Sequence, residues 1–355
     1  MTIQELFEKT IQSNASDLHL LAGSPPNIRI DGKLVPIDTN PPLTPKDVED
    51  LVFSILTPEQ KELFLTNRSL DYSFGFGVEN TPNSGRFRIN LYFQKGTVAG
   101  AYRLLPAKVK TIEELRLPQV CHDFAKLKQG FVLVTGPTGH GKSTTLASMV
   151  NEINMTQADN IITVEDPIEY IYPKGKSIIS QREIGIDSLS WGESLRSALR
   201  EDPDVVLIGE MRDPESISSA ITMAETGHLV FSTLHTNSAA QTVDRIIDSF
   251  PDHQQNQIRA QLASSLEGII SQRLIPKIDG GRIVVCEVMI ANNAIKSNIR
   301  EAKTHLIDSI IETSQESGMI SLEASLASLV KQGIITLDTA RAYVLRQDSF
   351  AQLMG

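Results

Sequence analysis

The stretch GPTGHGKST, residues 136–144, constrains this chain more than any other. Gly136, Gly141, Lys142 and Ser143 satisfy the pattern G-x-x-x-x-G-K-[ST], with Pro137, Thr138, Gly139 and His140 filling the loop and Thr144 following it. The surroundings give the match its meaning. An apolar, strand-like run at 131–135 precedes it, and the helical stretch KSTTLASMVNEI follows. Strand, glycine loop and helix start, in that order, turn successive backbone N–H groups toward one point, where the helix dipole also favours an anion. The nine residues are therefore the candidate binding loop for a nucleoside triphosphate. In it Lys142 would neutralise the β and γ oxygens and the Ser143 hydroxyl would ligate Mg²⁺.

Further along, the apolar runs NIITVED, DVVLIGE, HLVFSTLH and RIVVCEV alternate with helical stretches. Continuous apolar strands separated by helices predict an α/β domain with a mostly parallel sheet covered on both faces. One strand leads to Glu210, where a carboxylate can hold Mg²⁺ through water and orient or deprotonate an attacking water; the alternative is a carboxylate that caps the next turn. VEDPIEY ends another strand and offers Glu165, Asp166 and Glu169, with Pro167 breaking the strand. RDPESISSAITMAETG reads as a helix capped by Asp213, opened by Pro214 and stopped by Gly227. His228 follows that stop, and His235 stands at the far end of the next strand. A zinc site built on this pair would need further ligands, and none are spaced to supply them.

The first hundred residues have a different texture. Ile3, Leu6, Phe7, Thr10 and Ile11 recur at helical spacing. NIRIDGKLVPI reads as a hairpin turning at Asp31-Gly32, and a helix is expected near 45–65. In GRFRINLYFQ, Phe87, Ile89, Leu91 and Phe93 share one face, while Arg86, Arg88, Asn90 and Tyr92 share the other. Those arginines form either a solvated strand face or a cationic reach toward a ligand. LLPAKVKTIEEL, Leu104 to Leu115, reads as a boundary, so we expect one domain over 1–105 and a second, ending in helices, over 106–355. The net charge of -10 speaks against a nucleic-acid partner, whose backbone needs basic surface. The two cysteines, Cys121 and Cys286, are far apart and suggest a reducing compartment rather than a disulfide framework. The N-terminus lacks a long apolar core, and no run approaches the roughly 20 apolar residues of a membrane span. A cytoplasmic location is expected.

GPTGHGKSTT, VEDPIEY, LREDPDVVLIGEMRD and TGHLVFSTLHTNSA occur in that order. Together they resemble the four nucleotide-site boxes of the secretion ATPase superfamily: Walker A, Asp box, Walker B and His box. ASDLHL near the start, RIIDSFP at 245–251 and LEASLASLV at 322–330 extend the resemblance over nearly the whole chain. It is strongest to the type IV pilus retraction ATPases. The resemblance implies an α/β chain, with a PAS-like α+β N-terminal domain followed by a RecA-like P-loop ATPase domain, and ATP and Mg²⁺ as cofactors. It also implies a homohexamer, peripheral on the inner face of the cytoplasmic membrane, with a PilC-like pilus platform protein as its partner. The implied output is ATP-driven pilus retraction. The alternatives are an accessory retraction paralogue or a pilus assembly or type II secretion ATPase, whose usual extra N-terminal domain and four-cysteine zinc module do not appear here.

By the same resemblance, Glu210 is the Walker B carboxylate, holding Mg²⁺ in part through water, and Glu169 is the other candidate for activating water. His235 and His228 would sense the γ-phosphate. Arg88 and Arg103, with Arg86 as a rival, would reach the nucleotide from the N-terminal domain. Two positions depart from the family pattern. His140 stands where a serine is usual, and AIKSNIRE, Ala294 to Glu301, replaces a motif close to AIRNLIRE, with Lys296 in an arginine's place.

Overall fold

The computed structural model describes residues 1–30, 32–37, 41–77, 85–105 and 108–355. The chain divides into two units: Met1–Lys108 with Asp166–Ile171, and Val109–Glu165 with Tyr172–Gly355.

In the first unit, β1 (Asp17–Leu20), β2 (Asn27–Ile30), β3 (Lys33–Pro36), β4 (Ser69–Phe76), β5 (Gly85–Gln94) and β6 (Thr97–Leu105) form one sheet in the order β3-β2-β1-β6-β5-β4. Every pairing in it is antiparallel. Ile30 pairs with Lys33 across a tight turn in which Gly32 takes φ +81°, the left-handed backbone such a hairpin needs; Asp31 lies outside the described residues. The alternation read in β5 is present, with Phe87, Ile89 and Leu91 fully buried. Against them packs the helix Ile3–Gln12, opened by a reciprocal cap between Thr2 and Glu5. Its Phe7 stacks on Phe87 with ring centroids 4.3 Å apart. The helix expected near 45–65 is two helices, Pro45–Phe53 and Pro58–Asn67, each with a threonine N-cap and a proline in its first turn. Pro58 has no N–H to continue a helix and its ring clashes with the preceding turn, so the second helix starts afresh.

In the second unit, β7 (Gly130–Thr135), β8 (Asn160–Glu165), β9 (Ile178–Glu183), β10 (Val205–Ile208), β11 (Leu229–Leu234), β12 (Leu266–Pro276) and β13 (Arg282–Ile290) are ordered β13-β12-β7-β11-β10-β8-β9. The β12–β13 pair is antiparallel and the remaining pairings are parallel. Strands β7, β10 and β11 are buried along their whole length. Alternate residues feed two cores: Leu133, Ile208 and Val230 on one face, Val132, Leu207 and Phe231 on the other. Such double burial is why these strands read as predominantly apolar runs. A third core, with Ile275, Ile283 and Val285 against Leu322, Leu326 and Phe350, fastens the C-terminal helices to β12 and β13. Register matters for the chemistry. Thr135 pairs with Leu234, Ser232 with Ile208, and Ile208 with Val164, so the parallel strands β7, β11, β10 and β8 all end at one edge. Among the described residues, no helix is long and apolar enough to cross a membrane.

Candidate nucleotide site

The loop after β7 is shaped by its glycines. Gly139 and Gly141 take φ +78° and +82°. A side chain at Gly136 (φ +143°) would place its first carbon 2.4 Å from the Gln272 carbonyl oxygen, so nothing larger fits there. The helix Lys142–Thr156 starts at Gly141, which brings no side chain to its first N–H groups, an arrangement that suits a phosphate. The Lys142 side chain is folded into the loop, its Nζ donating to the carbonyls of Gly136 at 3.0 Å and Pro137 at 3.1 Å.

Across the strand ends the charged groups line up. Lys142 Nζ lies 3.4 Å from His235 Nδ1, and Thr138 Oγ1 lies 3.3 Å from the same nitrogen. On the other side of the ring, His235 Nε2 is 3.5 Å from Glu210 Oε2, and Glu210 also pairs with Arg212. This polarity fits the tautomer whose Nδ1 accepts from the ammonium and whose Nε2–H points at the carboxylate. Glu210 is set by its neighbours: Gly209 N–H donates to Val164 O at 2.8 Å, and Thr233 Oγ1 donates to Gly209 O at 2.7 Å. Glu165, almost buried at the end of β8, accepts from Thr163 Oγ1 at 2.7 Å. A Cβ on Gly209 would lie 3.3 Å from the Glu165 Cα, so glycine lets these two carboxylate-bearing strand ends approach. Ser143, Glu210 and Glu165 offer a hydroxyl and carboxylate oxygens, the hard donors that Mg²⁺ takes beside phosphate oxygens.

His228 stands apart from the other candidates within this chain. It precedes β11 while the loop and His235 lie past its other end, and its Nδ1 bonds to Met223 O at 2.9 Å. At about 3.3 Å per strand residue, the six residues of β11 separate His228 from His235 by roughly 20 Å. Its ring therefore ties helix Pro214–Glu225 to the strand and stands away from its own chain's phosphate loop. We expect His228→Ala to bind ADP within about twofold of wild type by calorimetry, since it removes at most one ordinary hydrogen bond. A tenfold loss would restore it to the site.

The first unit gathers the arginines. Arg88 and Arg103 are cross-strand partners, and Arg103 pairs in turn with Asp17. Arg103 Nε donates to Asp17 Oδ1 at 3.0 Å and Arg88 Nη2 to Asp71 Oδ2 at 2.8 Å, while Arg86 bonds to Ser73. Burial alone would raise the Asp17 pKa; hydrogen bonds from Ser16 and Arg103 outweigh it and hold the carboxyl below its ordinary value. Arg88 is held above its ordinary value by the bond to Asp71, against its partial burial, with the charges of Glu169 and Asp166 adding to it. Segment Asp166–Ile171 belongs to this unit, so Glu169 and Arg88 share one electrostatic neighbourhood.

Three buried or pinned residues beside the loops escaped the sequence reading: Asn237, Gln272 and Arg273. The signal was available in SQRLIP, where Ser271, Gln272 and Arg273 interrupt an otherwise apolar strand. Polar residues in such a place are buried only with partners.

A model of the type II/IV secretion system protein family matches residues 112–342. The chain belongs to that family. It is 46% identical to the type IV pilus retraction ATPase PilT of Pseudomonas aeruginosa, over 96% of this chain and 97% of that protein. It is 44% identical to a twitching motility protein of Neisseria gonorrhoeae, over 96% and 90% respectively, and 35% identical to the type IV pilus ATPase PilU of P. aeruginosa, over 97% and 88%. A crystal structure of the pilus retraction motor PilT with bound ADP superposes with a TM-score of 0.92 at 45% identity, covering 99% of both chains. The ATPase DotB of Legionella pneumophila gives 0.79 at 26% identity, over 96% and 95%. The expected fold class is thus the family's: an N-terminal domain followed by a RecA-like ATPase domain. AIKSNIRE lies on the helix Asn293–Arg300, where Ile295 and Ile299 face the core and Lys296 Nζ pairs with Glu267 Oε1 at 3.1 Å.

Proposed function

We propose that this chain is a motor that hydrolyses ATP to drive type IV pilus retraction. The observation that carries the reading is the linked row Lys142, His235 and Glu210 at one sheet edge, in a chain that matches pilus retraction ATPases over nearly its whole length. Backbone N–H groups of the 136–144 loop and Lys142 bind the phosphates. Mg²⁺, held through Ser143 and Glu210, would neutralise charge on the β and γ oxygens. Glu210, or Glu169 from the first unit, orients or deprotonates the attacking water. His235, by turning its Nε2–H from Glu210 to a γ-phosphate and losing that contact after hydrolysis, would report the nucleotide state. Arg88 and Arg103 act as cationic fingers for transition-state charge.

The working assembly in this reading is a homohexamer on the inner face of the cytoplasmic membrane, passing its motion to a PilC-like platform protein. The accessory-paralogue alternative draws on the 35% identity to PilU. The deciding experiment counts surface pili on cells lacking this protein and on their parent. More pili together with lost twitching is the expected result; fewer pili would assign the motor to assembly.

A further inference from the structure

Strand β12 outruns its neighbour. Its pairing with β7 ends at Ser271↔Thr135, whereas its pairing with β13 continues to Pro276↔Arg282. From Gln272 onward one edge of β12 therefore faces the phosphate loop instead of a strand. The Leu274 N–H donates to His140 Nδ1 at 3.0 Å, and Gln272 Nε2 donates to the His140 carbonyl at 2.7 Å. The alternate residues, Ser271 and Arg273, reach the other loop. Arg273 Nη2 donates to the Asn237 carbonyl and to its Oδ1, each at 3.0 Å, and Ser271 Oγ donates to the same carbonyl at 3.1 Å. Asn237 is two residues beyond His235, and His140 is two before Lys142. One short run of strand thus grips both loops that carry the charged row of the site.

We infer that the 271–274 run of β12 is a strap that fixes the phosphate loop against the His235 loop, with the His140 ring as its clasp. His140 is a positioning residue: its ring is spent on Leu274, so its contribution to nucleotide binding passes through the loop's shape. The imidazole caps an N–H for which β7 supplies no partner, and neutral Nδ1 is the atom that can accept it. Serine, usual at this position in the resembled family, has no atom that reaches as far from its Cα as a histidine Nδ1 with a lone pair in the ring plane. The departure at His140 therefore becomes a specific device of this chain. The inference rests on the reading of 136–144 as a nucleotide loop.

The test uses the full chain and measures the ADP dissociation constant by calorimetry, with KM and kcat for ATP, in wild type, His140→Ala and His140→Asn. Asparagine can set its amide oxygen where Nδ1 stands. We expect the alanine variant to weaken ADP binding and raise KM about tenfold, equivalent to about 1.4 kcal/mol, with kcat falling far less. The asparagine variant should recover most of that loss. Hydrogen exchange at Leu274, read on a peptide covering 272–276, should quicken in the alanine variant and reads the clasp even where turnover is low. An alanine variant that binds ADP as wild type does, or an asparagine variant no better than alanine, overturns the strap. A wild type that fails to bind ADP overturns instead the nucleotide-site reading beneath it.

Discussion

Glu210→Gln is expected to lower ATP turnover by about 10²-fold or more, the scale of a lost general base, while ADP still binds. The amide keeps the size of the carboxylate but loses its charge and basicity. Lys142 and the 136–144 backbone, to which the proposed function assigns the binding, are untouched. The neighbouring groups make the expectation sharper. Glu210 lies between His235 at 3.5 Å and Arg212, and its backbone is fixed through Gly209 to β8 and β11. The substitution therefore alters charge at a rigid point. Glu165 is engaged by Thr163 and almost buried. Glu169 is the real rival, and Glu169→Gln is the companion measurement. If Glu210→Gln turns over at the wild-type rate while Glu169→Gln fails, the carboxylate that activates water is Glu169. If neither falls, neither carboxylate activates the water and Glu210 is a turn cap.

How much of this was legible follows from which forces act locally. The 136–144 loop was readable because phosphate binding demands glycine backbone, a lysine and a hydroxyl at fixed spacing, all within one stretch. The strands β7, β10 and β11 were readable because burial on both faces fills them almost wholly with apolar side chains, Thr135, Ser232 and Thr233 near their ends being the exceptions. His228 shows what a local reading leaves out. Sequence shows that it and His235 flank one strand, but only the parallel register shows which strand ends share an edge. The ties from β12 to His140 and Asn237 span more than a hundred residues in one case, and no local pattern announces a pairing of that range. The break at Pro58 was visible in the residue itself and was lost by reading periodicity over too long a window.

A comparably large effect is expected far from the loop, where Arg346→Met should destabilise the second unit by about 3 kcal/mol, the scale of a broken buried ion pair. Arg346 Nη2 donates to Glu287 Oε2 at 3.0 Å and to Glu323 Oε2 at 2.8 Å, while Nη1 pairs with Asp308 at 3.0 Å. Glu287 and Glu323 are 1% and 0% exposed, so neither can turn to solvent when the guanidinium is gone. Burial raises the Glu287 pKa; the N–H of Ala239 and the charge of Arg346 pull it back. Without Arg346 it must rise further. A carboxyl raised in the folded state binds its proton more readily there than in the unfolded chain, so stability is regained as pH falls through the raised folded value. The gap between variant and wild type should therefore be wider at pH 7.5 than at pH 5.5 in urea unfolding followed by circular dichroism. A gap that is absent, or constant between the two, would show the cluster to be solvated and weak. Adding Glu287→Gln and Glu323→Gln to Arg346→Met should recover much of the loss, because removing a whole buried charge set costs far less than orphaning half of it. Glu287 also accepts the Ala239 N–H at 2.8 Å, at the start of the helix Ala239–Asp248 that closes the His235 loop. The charge that fastens the C-terminal segment is thus the one that holds the far end of the His235 loop.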